Sequence, residues 1–151
     1  MSTQAKPITI LMADDDADDR LLANDALAEC GMEVELRCVE NGEELLDYLN
    51  RRGKFSDSAA SPKPSLILLD LNMPRKDGRE ALREIKGSPE FRRIPVVVFT
   101  TSKADTDIGQ IYDIGANSFI SKPVSFESLI HVMKTLGLYW CATVRLPFKP
   151  N

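Results

Sequence analysis

The stretch Ser65-Leu66-Ile67-Leu68-Leu69-Asp70-Leu71-Asn72-Met73-Pro74-Arg75-Lys76-Asp77-Gly78 constrains this chain more than any other. An apolar run drives into an acid, and two turn signals, Met73-Pro74 and Asp77-Gly78, close behind it. Such a run between breakers reads as a strand buried on both faces, as in a parallel sheet, although periodicity alone leaves a buried helix open. Asp70 then falls where strand becomes loop. The carboxyl edge of an open parallel sheet is where ligands bind, so the position suits chemistry better than packing. A lone acid there also starts ordinary turns, and the rest of the chain decides between the two readings.

Other runs repeat the pattern. Ile8 to Ala13 ends in Asp14-Asp15-Asp16 and reads as the first strand; Leu22, Ala23, Ala26, Leu27 and Cys30 then share one helical face, with Gly31 placed to end it. Val34, Leu36 and Cys38 alternate as in a half-buried edge strand, which Asn41-Gly42 breaks. Glu43 to Arg52 is a helix with Leu45, Leu46 and Leu49 inward, followed by a long loop from Gly53 to Pro64. Beyond Asp70, Arg79 to Lys86 is a helix with Ala81, Leu82 and Ile85 on one side. Ile94 to Phe99 is the fourth strand, running to Thr100-Thr101-Ser102. Asp105 to Ile114 is a helix ended by Gly115, and Ser118 to Ser121 a short strand before Lys122-Pro123. In the last helix Ser125 is the N-cap, Val124 and Leu129 are spaced as a hydrophobic staple, and Phe126, Leu129, Ile130, Met133 and Leu136 form the buried stripe.

Strands alternating with helices imply an α/β, doubly wound parallel sheet with helices on both faces. At this size the flavodoxin-like order 2-1-3-4-5 is the common solution, with five strands, five helices and a C-terminal extension. The 151 residues suit one domain with its own core. A formal charge of -4 gives no basic field for nucleic acid or anionic membrane. Met1 to Pro7 has no apolar core of signal-peptide length and no stretch reaches the roughly 20 apolar residues of a span, so a cytoplasmic location is expected. Cys30, Cys38 and Cys141 match no metal-ligand spacing and are expected as buried reduced thiols.

In this topology Asp14, Asp15, Asp70, Thr100 and Lys122 converge at one sheet edge. Crowded carboxylates repel unless a cation sits among them, and a hard divalent ion, Mg²⁺ above all, suits oxygen donors. Lys122 and Thr100 suit a phosphoryl group, so the site favours phosphoryl transfer to Asp70 as nucleophile. Asp16 reads as the start of a helix. Lys122-Pro123 offers a cis peptide that would fix the lysine's direction. His131 reads as a partly exposed helical residue with no chemistry assigned.

Asp14-Asp15, the Leu68-Leu69-Asp70-Leu71-Asn72-Met73-Pro74 run with Asp77-Gly78, Thr100, and Lys122-Pro123 resemble, in the same order, the receiver domain of two-component response regulators. The resemblance spans residues 8 to 137. It implies that a histidine kinase or phosphotransfer protein donates phosphate to Asp70. By the same likeness Asp15, Asp70 and the Asn72 main-chain carbonyl hold Mg²⁺, Asp14 acts through a bound water, and Thr100 and Lys122 grip the phosphoryl group. The implied switch moves Thr100 toward the phosphate and turns Phe119 inward.

The Gly53 to Pro64 loop, Thr100-Thr101-Ser102, Tyr112-Asp113 and the tail from Tyr139-Trp140-Cys141 to Leu146-Pro147 look like the single-domain regulators that accompany bacterial phytochromes. That likeness implies a bacteriophytochrome as kinase and a homodimer formed through the C-terminal segment. Residues 1 to 137 are then the receiver, and 138 to 151, apolar through Leu138, Tyr139, Trp140 and Phe148, an arm that packs or dimerises, with no output domain. Thr101, where most receivers carry Ala or Gly, implies slow phosphoryl chemistry. The rival class is an enzyme that turns over an aspartyl phosphate, as haloacid-dehalogenase-like phosphatases do. Asn72 stands where that class has its general acid.

Overall fold

The computed structural model describes residues 8–31, 33–101 and 105–147; expectations falling on Met1 to Pro7, Ser102 and Phe148 lie outside them. The elements are β1 (Ile8–Ala13), α1 (Ala17–Glu29), β2 (Val34–Val39), α2 (Gly42–Asn50), β3 (Leu66–Leu69), α3 (Gly78–Gly87), β4 (Val96–Thr100), α4 (Asp105–Ile114), β5 (Ser118–Ser121) and α5 (Phe126–Leu136). The five strands form one sheet in the order β2-β1-β3-β4-β5, every pair parallel. This is the flavodoxin-like arrangement expected from the alternating pattern.

Side-chain alternation along the strands sends residues to two separate layers. Leu11, Ile67, Leu69, Val96 and Val98 pack with Leu45, Leu49, Leu82, Ile85 and Ile111 on one face. Ile10, Met12, Leu66, Leu68, Val97 and Phe99 pack with Ala23, Ala26, Leu27, Leu129, Met133 and Leu136 on the other. Register sets the site, because Ala13 lies opposite Leu69 and the next residues are Asp14 and Asp70. The Asp70 N–H donates to the Ala13 carbonyl at 3.0 Å, so both acids leave the sheet at one level.

The long loop after α2 is tied down. It opens with a 3-10 turn, Gly53–Phe55, and the Tyr48 hydroxyl donates to the Pro62 carbonyl at 2.7 Å. Beyond α5 the chain continues as a π-helical stretch, Gly137–Thr143, with Trp140 and Cys141 half-buried against the second layer. Leu138 and Tyr139 stay exposed.

Several local expectations are corrected. Leu22 is exposed on α1, whose buried contacts come from Leu27 and from Ala23 and Ala26, small residues that let the helix lie close to α5 and the sheet. The staple is absent: Val124 points fully into solvent and Phe126 is exposed, although Ser125 does cap α5 by accepting from the Ser128 N–H at 3.1 Å. The Lys122-Pro123 peptide is trans, as are all peptides among the described residues. The cysteines are free thiols, but Cys38 is exposed on the sheet's edge strand, and Cys30 and Cys141 are only half-buried. His131 is exposed on α5.

Candidate functional site

The turn leaving β1 is built around Asp14. Its side chain is 1% exposed, and Oδ1 accepts the Asp16 N–H at 2.9 Å. Asp16 caps α1 by accepting the Asp18 and Asp19 N–H groups, so the first turn of the helix begins with its donors satisfied. The Arg20 guanidinium donates to the Asp14 carbonyl at 2.7 Å and reaches Glu40 across the turn at 3.3 Å. Asp15 is exposed beside them.

Asp70 is 7% exposed at the end of β3. Its Oδ1 accepts the Thr100 hydroxyl at 2.8 Å and the Asn72 N–H at 3.3 Å, and its Oδ2 accepts Lys122 Nζ at 3.1 Å. Thr100 is held at the end of β4, fully buried, and its carbonyl accepts the Lys122 N–H at 2.9 Å. The structure therefore brings together all five polar residues that the sequence placed at this edge.

Lys122 Nζ also donates to Asp14 at 2.6 Å and to Asp19 at 2.8 Å, so one ammonium binds three carboxylates. Sequence reasoning missed Asp19. Acids in a first helical turn ordinarily complement the dipole, and nothing in the local pattern sets this one apart. Burial pushes the Asp14 carboxyl upward, against the bonds from Lys122 and the Asp16 N–H. For Lys122 burial works to lower the pKa, and the bonds to Asp14 and Asp19 outweigh it, holding the ammonium well above the ordinary lysine value. The lysine is a fixed cation at any physiological pH.

Asp14, Asp15 and Asp70 offer carboxylate oxygens within 4.8 Å of one another. With Asp19 on the same ammonium as Asp14 and Asp70, the cluster carries more negative than positive charge. An all-oxygen donor set, with Asp15 open to water, fits a hard divalent cation that keeps part of its hydration shell.

Phe119 lies half-buried against the first layer, and its N–H donates to the Tyr112 hydroxyl on α4 at 3.1 Å. A groove lined by Tyr112, Phe119, Ile120, Leu136, Tyr139 and Trp140 runs from there to the C-terminal stretch.

This fold, with acids at the ends of β1 and β3, a threonine ending β4 and a lysine after β5, is that of a receiver domain. The chain belongs to the response regulator receiver domain family, which its sequence matches over residues 10–134. Within it, this protein is a response regulator related to those of phytochromes. It is 37% identical over 149 residues to response regulator Rcp1 of Synechocystis sp. (strain ATCC 27184 / PCC 6803 / Kazusa), covering 97% of this chain and 99% of Rcp1. It superposes on the phosphorylated cyanobacterial phytochrome response regulator RcpA with a TM-score of 0.87, at 38% identity, over 94% of this chain and 99% of that one. The Mn(2+)-bound form of Rcp1 gives a TM-score of 0.85 at 37% identity, over 94% of this chain and 100% of that one. Among the described residues no helix is long and apolar enough to cross a membrane.

Proposed function

We propose that Asp70 accepts a phosphoryl group from a phosphohistidine of a histidine kinase or phosphotransfer protein. An Asp70 carboxylate oxygen bonds to phosphorus as the phosphorus–nitrogen bond breaks, and the electron pair stays on the imidazole. The observation that carries this reading is the clamp on Asp70: a buried carboxylate held by Thr100 and Lys122, with Asp14 and Asp15 beside it. Thr100 and Lys122 then contact the phosphoryl oxygens, and Asp14 orients the lysine.

Asp15, Asp70 and the Asn72 main-chain carbonyl would hold the divalent cation, with Asp14 acting through a water. We take the ion to be Mg²⁺; when bound it neutralises charge on the acceptor and the incoming phosphoryl group. Phosphorylation biases Thr100 toward the phosphate and Phe119 inward, which remodels the surface of α4, β5 and α5. Self-phosphorylation and self-dephosphorylation are slow, in keeping with Thr101 standing exposed beside Thr100. The output is this changed surface or onward transfer to another histidine.

The likeness to phytochrome regulators supports a bacteriophytochrome as the kinase, and with it a cytoplasmic location. Residues 1 to 137 act as the receiver. Residues 138 to 151 act as an arm in a homodimer, since Leu138 is exposed and Tyr139 is exposed along the apolar groove.

The test is beryllofluoride, a mimic of the acyl phosphate, added with Mg²⁺ and followed by amide NMR shifts. Binding is expected at one site per chain and is abolished by Asp70→Asn. Binding that survives Asp70→Asn overturns the assignment.

A further inference from the structure

An ammonium has three N–H donors, and those of Lys122 are committed to Asp14, Asp19 and Asp70 at 2.6, 2.8 and 3.1 Å. If Asp70 carries a phosphoryl group as proposed above, an oxygen of that group needs one of these donors. Of the three carboxylates, Asp14 is 1% exposed, and without the lysine it would be a buried charge held only by the Asp16 N–H. Asp70 is itself the bearer of the new group. Asp19 is 36% exposed at the first turn of α1, so water replaces its lysine contact at little cost.

We infer that Asp19 is a positioning residue that holds Lys122 in the resting state and is the contact released when the phosphoryl group arrives. It keeps the ammonium over Asp70 and competes with the phosphoryl oxygens for it. The competition sets how tightly the phosphorylated state is held, and the same lysine contact positions the ammonium beforehand. Asp18, its neighbour in the chain, separates this role from the effect of charge alone. Asp18 is exposed, it contributes an equal charge to the same turn, and no bond joins it to Lys122.

The experiment measures beryllofluoride affinity, in saturating Mg²⁺, of the wild type and of Asp19→Asn, Asp19→Glu and Asp18→Asn. A partly exposed ion pair of this kind is worth up to about a factor of five, so Asp19→Asn is expected to bind roughly fivefold tighter. Asp19→Glu is expected to restore much of the wild-type affinity, and Asp18→Asn to leave it unchanged. Thermal midpoints of the free proteins confirm that each variant is folded. Unchanged or weaker binding by Asp19→Asn overturns the inference, and so does an equal gain in Asp18→Asn. Failure of the wild type to bind beryllofluoride at Asp70 would instead overturn the reading of the site.

Discussion

Gly78 lies against the main-chain carbonyl of Asp70, so closely that a Cβ on the glycine would stand 2.3 Å from that oxygen and 2.7 Å from the Leu71 Cα. Its N–H donates to the Leu71 carbonyl at 2.9 Å. The start of α3 thus braces the loop that follows β3, and the obstacle is backbone, which cannot swing aside. Gly78→Ala is expected to cost about 1–3 kcal/mol, the usual range for overpacking. Urea denaturation should show this loss together with weakened beryllofluoride binding; wild-type values in both would refute the brace.

Tyr48 closes the other end of the sheet, donating to the Pro62 carbonyl from a site where burial pushes its pKa from 10.0 to about 12. A raised folded-state pKa on an acid means that its stability is fully present below the unfolded value and lost as pH rises through the folded one. Stability is therefore expected to fall between pH 10 and about 12, and Tyr48→Phe to flatten that limb while costing about 1 kcal/mol at neutral pH. Denaturation curves across this range check it. A slope unchanged in Tyr48→Phe would assign the loss elsewhere.

Divalent cation and carboxylate cluster are linked through stability. At a hundredfold excess over its Kd, a cation bound only to the folded state adds about 2.7 kcal/mol. Mg²⁺ is expected to raise the thermal midpoint and a chelator to reverse it. Asp15→Asn should abolish the response while leaving the metal-free midpoint equal or higher, because one of the crowded like charges is gone. A full Mg²⁺ response in Asp15→Asn would exclude Asp15 as a ligand.

Tyr139 and Leu138 are exposed where the π-helical stretch leaves α5. If this face joins two copies, Tyr139→Asp places a charge in the joint and halves the mass seen by sedimentation, with beryllofluoride affinity retained. A wild type that sediments as a monomer at high concentration removes the dimer from the account.

The sheet and its acidic edge were legible because strands buried on both faces leave continuous apolar runs, and the residue after each run marks the edge. Asp14, Asp70, Thr100 and Lys122 follow from that alone once the strand order is known. Detail failed where contacts come from distant segments. Leu22 sits on the helical stripe yet faces water because alanines make the close approach on α1. Val124 has staple spacing, yet its side chain stands fully in solvent. Asp19 looked like any acid of a first helical turn. Its partner lies 103 positions away, and local pattern carries no trace of it.

Locating the phosphate itself tests Asp70 as the phosphoacceptor. Phosphotransfer from a labelled phosphohistidine donor, followed by borohydride reduction of the acyl phosphate and peptide sequencing, identifies the modified residue as homoserine. Homoserine is expected at position 70 and nowhere else. Homoserine at position 14 or 15, or label retained in Asp70→Asn, would contradict it.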